Sequence, residues 1–138
     1  MSDFFNSETV AKLQEMLASE DVKTRDGTGN QKLSYLASHH VIGEANRIFG
    51  FGNWSTEIIS LKQADKTEYE KKPYKAGEDP KPMVSFCYLC HLKLTIKSGD
   101  EFVSHEDTGF GNGVAGATAH GIGTCIELAS KEAVTDAL

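Results

Sequence analysis

Polar and apolar residues alternate most regularly over residues 83–97. Every second position is apolar, which places one continuous hydrophobic face on an extended strand. The apolar positions are Val84, Phe86, Tyr88, Cys90, Leu92, Leu94 and Ile96. A turn signal at residues 98–100 predicts a hairpin into a second strand over 102–106, and weaker alternation predicts another strand over 54–62.

Apolar residues three and four positions apart predict three helices. The first covers residues 7–18 with Ser7 as its cap, and the second covers residues 38–49 and ends before Gly50. The third covers residues 118–138. Its apolar stripe consists of Ile122, Cys125, Ile126, Ala129 and Ala133.

The remaining segments lack a strong period. Residues 22–25 and 33–36 predict short extended pieces, and residues 26–30 predict a turn or a mobile loop. Residues 64–82 contain all three prolines and predict a long hairpin loop or the frayed arms of a hairpin, whereas the glycine-rich residues 109–116 predict a flexible connection. Three antiparallel strands packed by a long C-terminal helix and N-terminal helices indicate the α+β class.

The composition, 39% hydrophobic and 25% charged, fits one soluble globular domain. The net charge of −6 argues against nucleic acid, because neutralising phosphates requires Lys and Arg. However, residues 1–22 carry five of the 20 acids and one of the 14 bases, which leaves 15 acids and 13 bases in the rest. A local basic groove is therefore still compatible with the composition.

No apolar run reaches the length of a membrane span, and the N-terminus has no basic leader. We therefore expect an intracellular protein without membrane association, whose three cysteines are free thiols.

Cys87, Cys90 and His91 match the C-x-x-C-H pattern of haem attachment, and could also contribute to a zinc site with Cys125, His105 or His120. Alternation along the strand places Cys90 on one face, and Cys87 and His91 on the other. We therefore favour strand packing over a metal or haem site.

Gly111, Gly113 and Gly116 form a G-x-G-x-x-G pattern, and Asp136 follows 20 residues later. A nucleotide- or dinucleotide-binding protein that uses residues 109–116 is therefore the alternative function. The preceding strand is antiparallel and no further strand follows the helix, so we favour a hinge.

Two further features favour structural roles. His105, Glu106 and Asp107 could form a metal or acid–base cluster. We expect them instead to end a strand, with one acid paired to a Lys or Arg across a subunit interface. Trp54 is predicted to anchor the core.

Four blocks of sequence together resemble the annealing domain of the Rad52 family of single-strand DNA annealing proteins. They are residues 32–50, residues 51–57, the strand–turn–strand that ends at Asp107, and the helix that ends in Lys131-Glu-Ala-Val-Thr-Asp-Ala-Leu138. The resemblance covers residues 22–138, with residues 1–21 as a separate acidic helical segment. It also implies that the final helix is cut short at Leu138.

The resemblance implies that the chain binds single-stranded DNA and anneals complementary strands in homologous recombination and DNA repair. It implies no bond-making catalysis and no cofactor. Identical subunits would form a ring in which β-β-β-α units line a positively charged groove. A recombinase or a single-strand binding protein would be a further partner.

The resemblance also implies which residues contact DNA. Arg25, Tyr35 and Lys131 match family DNA contacts, Thr135 lies one helical turn after Lys131, and Lys81 lies near a lysine of an outer DNA site. Residues 108–130 depart from the family pattern, since His120 and Glu127 stand there in place of additional basic residues. Residues 40–54 resemble bacterial and phage relatives more than nuclear ones. This resemblance implies that the protein is located in a bacterial or phage-infected cytoplasm and not in a nucleus.

Overall fold

A computed structural model describes residues 4–16, 19–26, 32–36, 38–73 and 77–138, with residues 25, 26 and 32–36 described by their backbone alone. Most of the turn predicted over residues 26–30 lies outside this part. The elements in chain order are α1 Ser7–Leu13, a 3-10 helix Ser19–Asp21, β1 Val22–Asp26, β2 Lys32–Leu36, α2 Ser38–Phe49, β3 Trp54–Lys71, β4 Lys81–Ser98, β5 Glu101–Gly116 and α3 Ala119–Ala137.

The described strands form two sheets. β1 and β2 pair antiparallel, in a register that runs from Val22 opposite Leu36 to Asp26 opposite Lys32. The second sheet is antiparallel, with three strands in the order β3-β4-β5. The α+β class, the three-stranded antiparallel sheet and the C-terminal helix are thereby confirmed. The two short extended pieces are also present, although their pairing was not predicted.

The chain divides into two compact units. The first consists of Met1–Ser55 and Leu94–Ser104, and the second of Thr56–Lys93 and His105–Leu138. The first unit therefore contains α1, the β1-β2 hairpin, α2 and the β4-β5 turn. The second contains α3 and most of the three-stranded sheet.

In the first unit, α1 and α2 are joined through exposed and half-buried side chains. Arg47 on α2 donates to Glu44 at 2.7 Å and to Glu15, which follows α1, at 3.3 Å. The rings of Phe5 and Phe49 lie 5.6 Å apart. Neither helix contains a buried residue. This contact therefore depends on one ion pair, Arg47–Glu15, on one aromatic pair, and on a hydrogen bond from Lys12 Nζ to the Arg47 carbonyl oxygen at 3.5 Å.

The two helix predictions in this unit differ in accuracy. The bounds of α2 match, and Gly50 ends it with a φ of 90°. α1 is shorter than predicted, since it ends at Leu13. Its cap is Asn6, not Ser7, because the Asn6 side chain accepts a hydrogen bond from the Thr9 amide at 2.8 Å.

The core of the second unit lies between β4 and α3. Alternate β4 residues point toward the helix, as their pattern predicted, and the helix presents residues spaced four apart. The buried residues of this core are Val84, Phe86, Cys90, Leu92, Cys125, Ala129, Ala133 and Ala137. The half-buried ring of Tyr88 packs against both halves of the core.

The prediction of a flexible connection over residues 109–116 is wrong, because β5 continues through them to Gly116. Gly109, Gly111 and Gly113 lie on the strand face that meets α3. A Cβ on Gly109 or Gly111 would collide with the helix backbone, and one on Gly113 would lie 2.6 Å from the Cys125 carbonyl oxygen. These glycines thus allow α3 to approach the strand closely.

β3 and β4 are also longer than predicted. β3 runs to Lys71 and β4 starts at Lys81, so much of the proline-containing segment, predicted as a loop or as frayed hairpin arms, is regular strand. Only two residues of β3, Trp54 and Ser60, are half-buried and the others are exposed, and the strand lies at the edge of its sheet with little apolar alternation to reveal it. Pairing with β4 along the hairpin overrides the weak local signal.

Candidate nucleic-acid interface

The outward face of α3 carries two of the predicted DNA contacts, Lys131 and Thr135. At 100° per residue, Lys131 lies opposite the buried stripe of Cys125, Ala129 and Ala133. Thr118 caps the helix by accepting a hydrogen bond from the Gly121 amide at 3.0 Å. Exposed residues share the outward face along the whole helix, namely His120, Thr124, Glu127, Lys131 and Thr135.

Lys131 has an acidic partner on this face. Its Nζ atom donates to Oε1 of Glu127 at 2.7 Å, and the two side chains are 73% and 62% exposed. The hydrogen bond from Lys131, followed by its positive charge, lowers the pKa of Glu127 below its ordinary value. The carboxylate therefore stays ionised at neutral pH and offsets the charge of the lysine beside it.

Lys81 lies away from Lys131 in the second unit. It is exposed and is the first residue of β4. The next residue, Pro82, accepts a hydrogen bond from the Ala117 amide at 3.0 Å, which places this strand end beside the start of α3. Lys131 is 12 residues after Ala119, the first residue of α3, or roughly 18 Å along the helix axis. The two lysines therefore do not belong to one contact patch.

Arg25 and Tyr35 belong to the hairpin of the first unit. Arg25 on β1 pairs with Leu33, and Tyr35 on β2 pairs with Lys23. The backbone ladder therefore brings Arg25 and Tyr35 within two residues of each other across the hairpin. Their side chains lie outside the described part of the structure.

The cysteine and histidine residues of β4 do not converge. Cys90 is buried against α3, whereas the adjacent His91 is partly exposed and pairs with Glu106 on the other face of the sheet, as alternation predicted. Among the described residues no group of three or more His, Cys, Asp or Glu side chains could hold a metal ion. The candidate nucleotide loop is also absent, because residues 109–116 are strand and their glycines pack against α3.

The strand does not end at residues 105–107, contrary to prediction, because they lie within β5. Glu106 pairs with His91 of the same chain, with Oε1 and Nε2 2.9 Å apart. Trp54, predicted as a core anchor, is half-buried and donates from Nε1 to Asn46 Oδ1 at 2.7 Å. Within the described ranges, no helix is long and apolar enough to cross a membrane.

Comparison with known proteins identifies the family. The model of the Rad52/22 family double-strand break repair proteins matches residues 6–138. The chain belongs to this family. The match contains the β1-β2 hairpin, β4 and α3, the elements that carry the predicted DNA contacts.

Three relatives illustrate the similarity, and all are named DNA repair and recombination proteins. The protein rhm52 of Pyricularia oryzae is 32% identical over 127 residues, which are 92% of this chain and 20% of that protein. The protein radC of Emericella nidulans is 33% identical over 128 residues, or 93% and 19%. The RAD52 protein of Saccharomyces cerevisiae is 31% identical over 127 residues, or 92% and 23%.

The chain thus spans about a fifth of the length of these curated relatives. They are fungal proteins, so the comparisons do not support the bacterial or phage setting that residues 40–54 predicted.

The ion pair between Glu127 and Lys131 was not predicted from the sequence. Glu127 departs from the family pattern, and its position four residues before Lys131 is the favoured spacing for an ion pair on a helix. That spacing was the available signal.

Proposed function

We propose that this chain binds single-stranded DNA and anneals complementary strands during homologous recombination and DNA repair. The family match over residues 6–138 carries the proposal. The relatives' names, DNA repair and recombination protein, support it. Annealing breaks and forms no covalent bond, so the proposed role requires no nucleophile, metal or nucleotide.

The chemistry of the proposed contacts suits this role. Annealing requires a strand held in an extended form with its base-pairing edges free, and screening of repulsion between two polyanions. Arg25 and Lys131 can neutralise phosphates regardless of base sequence. Thr135 can donate from its hydroxyl to a phosphate oxygen, and Tyr35 can stack on a base. We propose Lys81 as a contact of a separate, outer DNA site.

We also propose that the chain assembles with copies of itself, as a ring. The His91–Glu106 pair places odd-numbered β4 residues and even-numbered β5 residues on the sheet face that points away from α3. Leu89, Phe110 and Val114 belong to this face and are 46%, 50% and 49% exposed. Covering these apolar side chains against another subunit would remove them from water. A recombinase or a single-strand binding protein remains a proposed further partner.

Fluorescence anisotropy of a labelled oligo-dT across a salt series tests the proposal. We expect binding that weakens as salt rises, and several-fold weaker binding by Arg25→Ala and by Lys131→Ala. Lys62→Ala is the matched control, because it removes the same charge from an exposed position of β3. A second measurement follows the pairing of two labelled complementary strands, with the particle mass determined by light scattering.

The two measurements test DNA annealing and self-association separately. Salt-sensitive binding that Lys62→Ala leaves unchanged, together with faster strand pairing, supports annealing. A folded protein that binds no oligo-dT even at low salt would contradict the proposed function. A particle mass equal to that of one chain would contradict self-association.

A further inference from the structure

Lys131 is the only Lys or Arg in α3, so the positive charge that this helix offers to DNA depends on one side chain. That side chain is already in contact with Glu127 at 2.7 Å. A DNA phosphate that approaches Lys131 therefore meets an anion bound to the same ammonium group.

We propose that Glu127 competes with the DNA backbone for Lys131 and thereby lowers the affinity and the salt sensitivity of single-strand binding. This inference rests on the proposed function. The carboxylate takes the place of a phosphate while DNA is absent and is displaced when a strand binds. Glu127 is thus a positioning residue that acts on DNA through Lys131.

The other two acids of α3 lie on the side of the helix that faces β5. Asp136 accepts a hydrogen bond from the Phe110 amide at 3.0 Å, which directs its carboxylate toward β5. Glu132 is half-buried, and its Cβ lies 3.0 Å from the position that a Cβ on Gly111 would occupy. Glu127 is the acid that shares the outward face with Lys131.

The exposure of the pair makes the competition reversible. Exposed ion pairs contribute little stabilising free energy, because water and salt screen the two charges. A phosphate can therefore displace the carboxylate. Removing one negative charge about 5 Å from a phosphate in a medium close to water is expected to tighten binding about three- to tenfold. The salt dependence should steepen by about 0.7 in the logarithmic slope, the value for one additional contact with a single strand.

A double-mutant cycle on oligo-dT binding tests the inference. It compares four forms of the whole chain: the wild type, Glu127→Gln, Lys131→Ala and the double variant. Glu57→Gln is the control for net charge, since Glu57 is exposed on β3 and has no ion pair among the described residues. We expect tighter binding and a steeper salt slope for Glu127→Gln than for Glu57→Gln. In the Lys131→Ala background, the effect of Glu127→Gln should fall to that of Glu57→Gln.

The outcomes distinguish failure of this inference from failure of the proposed function. Binding that Glu127→Gln weakens, or changes no more than Glu57→Gln, would overturn the inference and leave the proposed function standing. An equal effect of Glu127→Gln with and without Lys131 would also overturn it. Failure of the wild type and all variants to bind, with their circular dichroism unchanged, would overturn both.

Discussion

The contact between α3 and β5 and the contact between α1 and α2 are built on opposite principles. In the second unit, buried glycines of β5 meet buried alanines of α3 at backbone distance. In the first, α1 and α2 contain no buried residue and meet through the exposed Arg47–Glu15 ion pair and the Phe5–Phe49 pair. Close backbone packing leaves no room for substitution, whereas exposed side chains can relax into solvent.

Gly111→Ala should have the largest effect of the changes considered. The new Cβ would collide with the backbone of Ala129 and Ala133 and would lie 3.0 Å from the Glu132 Cβ, so the helix must move. We expect a loss of about 3 kcal/mol in the free energy of unfolding, the upper end for overpacking, because backbone cannot rotate away. Urea unfolding followed by circular dichroism measures it.

Gly123→Ala is the matched control for this prediction. It adds the same methyl group to exposed α3 surface, with nothing within 4 Å, and alanine favours a helix more than glycine. We therefore expect a stabilisation of up to about 1 kcal/mol. Equal effects of the two substitutions would show that the strand–helix contact is not limited by space.

Trp54→Phe should have an intermediate effect in the first unit. It removes the hydrogen bond from Trp54 Nε1 to Asn46 Oδ1, which at 2.7 Å joins the start of β3 to α2. The half-buried indole and its partner lead us to expect a loss of about 1 kcal/mol. The same urea titration measures it. A loss as large as that of Gly111→Ala would mean that the two units tolerate change equally.

Glu44→Gln should have the smallest effect, and one that depends on pH. The hydrogen bond from Arg47 is the main cause that holds the pKa of Glu44 below its ordinary value of 4.5. A carboxylate with a lowered pKa in the folded state contributes stability above the unfolded pKa and loses it as pH falls through the folded pKa. The free energy of unfolding of the wild type should therefore be slightly larger than that of Glu44→Gln at neutral pH.

Urea midpoints at pH 7 and at about pH 3 check this prediction. The difference between the wild type and Glu44→Gln should shrink at the lower pH. Glu101→Gln, which removes an exposed acid at the β4–β5 turn, controls for net charge. A difference that stays constant between the two pH values would show that the Glu44–Arg47 pair is not its source.

Local periodicity by itself determined several elements of this protein. The bounds of α2, the buried face of β4 and the stripe of α3 follow from repeats of 3.6 and 2 residues, which hydrophobic burial imposes on any helix or strand with one face in a core. The same alternation separated Cys90 from His91. The proposed DNA residues came from similarity of sequence, because solvent-exposed charges show no such period.

Tertiary structure alone decided the features that depend on a distant partner. The glycines of β5 suggest a flexible connection or a phosphate loop until α3 is packed against them, since only the facing helix backbone explains the missing side chains. β3 extends to Lys71 because β4 pairs with it and not because its own residues favour a strand. Short-range sequence patterns indicate the preferences of a segment. The extent of β3 and of β5 instead depends on the elements that they contact, which are β4 for β3 and α3 for β5.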